Sequence, residues 1–232
     1  MRPLAPANGL PLLTAASRGH HIVYSLDIQT LIIITALAFL PGLILLMTSF
    51  TRIIVVLAIF RQALGLTTTP PNMILIALAL ILSAFIMRPT LQGLNTQAIQ
   101  PYLDHRIEFD QAVGKAGNLM RAFMSSQIRK RELRMFISLS GKKRKYQSVT
   151  QVPLLVLVPA FATSELQTAF EAGFLIYIPF AIIDLAVAGV LMALGMIMVS
   201  PTIISLPIKL LLFVSIGGWR ILLGSLAKSF SH

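Results

Sequence analysis

Residues 191–207 read Leu-Met-Ala-Leu-Gly-Met-Ile-Met-Val-Ser-Pro-Thr-Ile-Ile-Ser-Leu-Pro. An uncharged apolar run turns into glycine and closely spaced methionines, then two prolines six residues apart. Gly195 and Pro201 interrupt helix, while Met196 and Met198 are unbranched, polarisable side chains that fill irregular gaps. A plain membrane anchor has no use for a flexible break of this kind. A pore that must seal on itself, and then around a passing chain, does.

Working outward, the rest of the chain is that of a membrane protein. Of 232 residues, 56% are hydrophobic and 12% charged, about half the charged fraction of a soluble domain. Asp27 and Arg52 enclose 24 uncharged residues, and Asp184 and Lys209 enclose another 24. Both runs reach the ~20 residues that a spanning helix requires. Both are flawed, the first by Pro41-Gly42 and the second by the break. Cysteine is absent, which removes disulfides, thiolate zinc sites and Cys nucleophiles. The formal charge is +11, with twelve Lys/Arg against four acids in Arg88–Tyr146. Cations gathered between apolar blocks argue against nucleic-acid binding.

The chain divides by pattern into a mobile tail (1–26), a first helical hairpin (27–87), an amphipathic basic insert (88–150) and a second hairpin carrying the Met-rich loop (151–232). The tail has Arg2 and an apolar Leu10–Ala16 stretch, but Pro3, Pro6 and Pro11 interrupt it, so it reads as a tail rather than a secretory signal. In the first hairpin, Ile28–Phe60 is one apolar block, and Thr67–Asn72 is a turn and helix start. Met73–Met87 is the short return arm. The insert places Leu119, Phe123, Ile128, Leu133, Phe136 and Ile137 near helical spacing, with Arg121, Arg129, Lys130, Arg131 and Arg134 between them. Gly141–Lys145 reads as a solvated basic linker. In the last part Ser164 and Gln167 have capping-box spacing, which predicts a helix start at Ser164 with Glu165 favoured by its dipole. Gly173–Met198 then forms a separate apolar helix. The predicted class is all-α: kinked membrane-associated hairpins with an amphipathic helical insert.

Ionisable groups inside apolar runs cost ~2.5–3.5 kcal/mol at a helix centre. Arg52 either snorkels to an interface or pairs. Asp184 has too short a side chain to snorkel, and a buried or pore-side role follows. Lys209 and Glu165 join them as candidate buried charges for assembly. Gly189 and Ala193, with Ala186, would let helices approach closely. Met196, Ile197 and Met198 are the candidate pore gasket, supported by Met192, Gly195, Ser200 and Pro201. No metal-ligand spacing, phosphate loop, GxSxG or paired carboxylates appear, so no catalytic residue, metal or cofactor is assigned. A stand-alone transporter should show inverted repeats and converging midplane polar groups, and neither pattern stands out.

Several motifs carry a resemblance: Met47-Thr-Ser-Phe-Thr-Arg-Ile-Ile-Val-Val-Leu57, Arg61-Gln-Ala-Leu-Gly65, Pro70-Pro-Asn72, Phe123-Met124, Pro159-Ala-Phe161, Ser164-Glu-Leu-Gln-Thr-Ala-Phe170, Ile178-Pro-Phe-Ala-Ile-Ile-Asp-Leu185, Leu191–Met196 and Ser205–Phe213. Together they resemble the FliP family of flagellar type III secretion export gates, whose injectisome counterpart is SctR. The resemblance spans about Ser25 to Phe230. Ser164–Phe170 and Gly224–Phe230 favour the flagellar branch over the virulence-type alternative.

The resemblance implies a non-enzymatic pore subunit. Family members form a pentameric ring with FliQ and FliR, wrapped at its base by FlhB and surrounded by the FliF basal-body ring. Unfolded flagellar proteins pass through the centre, from an inner-membrane base toward the periplasm. The family's Met loop falls on Met196–Met198. Three departures stand out: Ile197 replaces the middle methionine of a usual trio, Gly217-Gly218-Trp219 replaces Asp-Gly-Trp, and no clear signal peptide is present. Loop charge would place the basic insert in the cytoplasm, whereas the family places it on the periplasmic side. The family placement is preferred here, because assembly can override loop-charge statistics.

Overall fold

The computed structural model describes residues 14–18, 21–25, 28–141, 151–196 and 198–230. The chain divides between Ile44 and Leu45 into two compact units. In the first, β1 (Thr14–Arg18) and β2 (His21–Ser25) pair antiparallel with Thr14 opposite Ser25. These are the described parts of the stretch read as a mobile tail. α1 (Ile28–Leu46) follows with Pro41 inside it. From Ile28 onward the regular structure among the described residues is all helical.

In the second unit α2 (Phe50–Ala63) is the central element. It ends in a left-handed Gly65, φ +81°. Gly65 N–H donates to Gln62 O, and Leu66 N–H to Arg61 O, the pair of bonds that closes a Schellman turn. Arg61 Nη1 then donates to Pro70 O at 3.1 Å and to Asn72 Oδ1 at 2.6 Å. The return loop is thereby pinned ahead of α3 (Asn72–Ile86). α4 (Arg88–Leu94), a π turn at Asn95–Ile99 and α5 (Gln100–Leu103) continue the chain; this stretch is bent 67° from α3.

The insert forms α6 (Phe109–Gln127) and α7 (Lys130–Leu139). The basic linker beyond Gly141 lies outside the described residues. Met124 and Leu133 pack with Val152, Leu157, Ala160 and Phe161 in a small core of their own. The insert is therefore seated on the first part of α8 (Leu154–Ala193).

α8 corrects the sequence reading. One helix of 40 residues, opening ahead of both, replaces a helix start at Ser164 and a separate helix from Gly173. Ser164 and Glu165 are interior positions, so neither is a cap. Pro159 and Pro179 stay within the helix, as prolines do where surrounding structure re-satisfies the freed backbone groups. α9 (Pro201–Ser215) likewise contains Pro207, which does not interrupt it, and α10 (Gly218–Lys228) follows at 67°.

The larger core joins Ile53, Val56, Leu57 and Phe60 of α2 to Leu75, Ala79, Ala169, Phe180, Phe213, Leu222 and Leu226. α2 and α8 run the same way: Arg52 meets Glu165, and Ile59 meets Gly173. At one end Phe60 lies 4.8 Å from Phe213 and 5.6 Å from Trp219, centroid to centroid. A Cβ on Gly218 would fall 2.0 Å from the Phe213 ring, so only glycine fits beside Trp219. Among the described residues α8 alone can cross a membrane by length and composition, and up to four spans arise if each of three broken helix pairs counts as one.

Candidate functional site

The break between α8 and α9 is built by backbone chemistry. Gly195 takes φ +73°. Its N–H donates to Met192 O at 3.0 Å, and Met196 N–H reaches Leu191 O at 2.9 Å. This is a Schellman ending that strongly favours glycine at its left-handed position. Ser200 is extended at φ −67°, ψ 120°, and Pro201 opens α9, where its missing N–H costs nothing. Ser200 Oγ lies 2.8 Å from Thr202 Oγ1. Both ends of the connection are thus set by backbone chemistry.

Its side chains point away from the fold. Met192 is 64% exposed, Met196 43% and Met198 98%. Core packing, the ordinary use of methionine, does not account for them. Ile197 lies outside the described residues. Gly189 also faces open space, with nothing within 4 Å of a built Cβ. The close helix approach expected there is not made among the described residues.

Behind the loop stands the first buried ion pair. Lys209 of α9 is 2% exposed and donates to Asp184 Oδ2 of α8 at 2.6 Å and to Ala63 O of α2 at 3.0 Å. Ser205 Oγ donates to the other Asp184 oxygen at 2.5 Å. Asp184 itself keeps 28% of its side chain exposed. One ammonium therefore ties three helices together, within four turns of the Met loop along α9.

A second buried pair holds the far end of α2. Arg52 Nε and Nη2 donate to the two Glu165 carboxylate oxygens at 2.9 and 2.6 Å. Arg52 Nη1 donates to Ser229 O and Ser229 Oγ, both at 3.0 Å. The Phe230 ring centroid lies 3.7 Å from the guanidinium carbon. With side chains 4% and 0% exposed, neither charge snorkels. The planar fork suits this site because bidentate geometry answers both carboxylate oxygens at once. Sequence reasoning had flagged all four charges but not their pairing.

Arg129 was not singled out as a site residue, yet it fastens the insert to α8. Its fork meets Glu171 at 2.7 and 2.5 Å, Nε donates to Thr168 Oγ1, and its backbone N–H donates to Ser164 Oγ. The Glu171 hydrogen bonds, above all, raise the Arg129 pKa beyond its already high usual value. In the sequence it is one cation of the run Arg129-Lys130-Arg131, with nothing to set it apart from its neighbours. Among the described residues no three His, Asp or Glu side chains gather as a metal site.

The FliP family profile matches residues 33–226. The chain belongs to the FliP family. It is 49% identical to the flagellar biosynthetic protein FliP of Cereibacter sphaeroides over 96% of this chain and 73% of that one. For the FliP of Pectobacterium carotovorum the identity is 50%, over 89% of this chain and 80% of the relative. For that of Bacillus subtilis it is 46%, over 89% and 93%. Family membership and the apolar α8 together place the chain among the membrane-associated components of flagellar biosynthesis, in the flagellar rather than the virulence branch.

Proposed function

We propose that this chain is a pore-forming core subunit of the flagellar type III protein export gate, without enzymatic activity. It conducts unfolded flagellar proteins across the bacterial inner membrane. Several copies form a ring, a pentamer by family resemblance, that assembles with FliQ, FliR, FlhB and the basal-body ring protein FliF. The basic insert stands on the periplasmic side, between hairpins at 27–87 and 151–232.

The observation that carries this reading is the exposure of Met196 and Met198 at the break between α8 and α9. Soft apolar side chains that their own fold leaves uncovered need a counterpart, and a ring supplies it from equivalent loops. A seal of such side chains can deform around chains of any sequence, because methionine adapts its shape at low cost. Ile197 adds a stiffer β-branched side chain at the centre of the trio.

The test replaces Met196, Ile197 and Met198 with glycine or alanine in the assembled complex. Small-solute and ion permeability should rise sharply while the complex keeps its mass. An assembled mutant with unchanged permeability would remove the gasket role.

A further inference from the structure

The pore reading leaves α7 unexplained. This helix buries Glu132 and Leu133 and half-buries Phe136 and Ile137. Its other side carries Lys130, Arg131 and Arg134, all exposed, together with Met135 at 44% and Leu139 at 72% exposure. Arg131, Arg134, Met135 and Ser138 fall at i, i+3, i+4 and i+7, so they share one face.

These three cations have no carboxylate within 4.0 Å among the described residues. A second copy of the chain is a poor source of one. It carries eight acids against 19 Lys and Arg. Glu165, Glu171, Asp184 and Asp104 already face Arg52, Arg129, Lys209 and Arg106, and Glu132 is turned inward. Glu108 and Asp110 are exposed, but copies of so basic a chain leave most of the complementary charge to come from elsewhere. An acidic protein surface would answer the charges and could cover Met135 and Leu139 as well, but the seat of α7 on an apolar helix favours lipid. A helix with cations flanking exposed apolar side chains matches a membrane–water interface, where the apolar groups dip into the acyl boundary and the cations meet phosphates. α7 is also seated on α8, the helix apolar enough to span.

We propose that the outer face of α7 is an interfacial site for anionic phospholipid headgroups, with Lys130, Arg131 and Arg134 as the phosphate contacts and Met135 and Leu139 as the apolar footing. The proposal rests on membrane association alone, not on the export-pore reading. Its failure would leave the gasket test untouched.

The chain has no cysteine, so Ser138→Cys carries a single environment-sensitive dye on this face. The full-length protein is reconstituted into vesicles of phosphatidylcholine, with or without phosphatidylglycerol. Anionic vesicles should shift the dye emission to the blue and shield it from an aqueous quencher. Each cation near an anionic surface is worth about fivefold in partition. The K130Q/R131Q/R134Q variant should therefore lose the shielding while keeping its helical circular dichroism. Lys142–Lys145 is the same in both proteins, so the difference reports on α7. Equal shielding in pure phosphatidylcholine, or in the charge variant, would overturn the proposal. So would reversal by millimolar glycerol phosphate, which would mark a free-anion site, or shielding that appears only on adding an acidic flagellar protein.

Discussion

Asp184 and Lys209 make the most demanding pair in the fold. Lys209 is almost wholly buried, and its charge is tolerable only with Asp184 and the Ala63 carbonyl in place. Breaking a buried pair from one side strands the other charge at about 3–5 kcal/mol, whereas replacing both with apolar side chains can be neutral. Asp184→Leu should therefore fail to accumulate as extractable complex. The double variant D184L/K209M should recover much of it, read as complex yield after detergent extraction. Equal loss in single and double variants would show that Asp184 acts by something other than neutralising Lys209. Gly173 poses a packing problem of the opposite sort. A Cβ there would sit 2.5 Å from Ile59 Cδ1 and 3.1–3.2 Å from Ile59 Cγ2 and Cβ, so α2 and α8 would be forced apart. Overpacking of this kind costs about 1–3 kcal/mol. Gly173→Ala should lower the melting temperature of the complex. Adding Ile59→Val, which removes the nearest atom, should restore part of the loss.

At the scale of elements, the break after α8 was readable because its determinants are local. Glycine at a left-handed helix end and proline at a first turn act through backbone geometry within a few residues. The unbroken 40 residues of α8 were not readable, since Pro159 and Pro179 carry the same local signature as true breaks. What overrides them is packing: Phe161, Ala169 and Phe180 are buried against other elements. The capping-box spacing at Ser164 misled for a similar reason. Ser164 Oγ instead accepts the Arg129 backbone N–H, and Glu165 meets Arg52 from 113 residues away in sequence. Charges in apolar runs announce that they are buried. Nothing in a single sequence announces which one faces which. The Gly217-Gly218-Trp219 departure has a plain reading at this scale. Gly217 is left-handed at φ +64°, a conformation that the aspartate expected there from the family resemblance also visits at modest cost.

For the whole molecule, exposed apolar side chains line α3, α8, α9 and α10, among them Ile81, Phe85, Phe174, Leu185, Leu211 and Val214. Lipid can cover some of this surface, and neighbouring chains must cover the rest. The protein extracted in mild detergent should therefore run as a multi-copy assembly. Native mass measurement of the protein alone, and then with its flagellar neighbours, checks this. A stable monomer with selective solute uptake would overturn both the ring and the export role.

The length of α8 has a consequence for how the cell must handle each newly made chain. Forty helical residues extend about 60 Å, and a 40° tilt still leaves roughly 46 Å of height against a hydrocarbon slab of about 30 Å. Part of this helix therefore stands in water or headgroups. Its first turns are covered by the insert through Leu157, Ala160 and Phe161, whereas Phe170, Phe174 and Leu185 further along stay exposed. A newly made copy carries that uncovered surface until neighbours or lipid meet it, so synthesis close in time to its partners matters to this protein beside the stability of its fold.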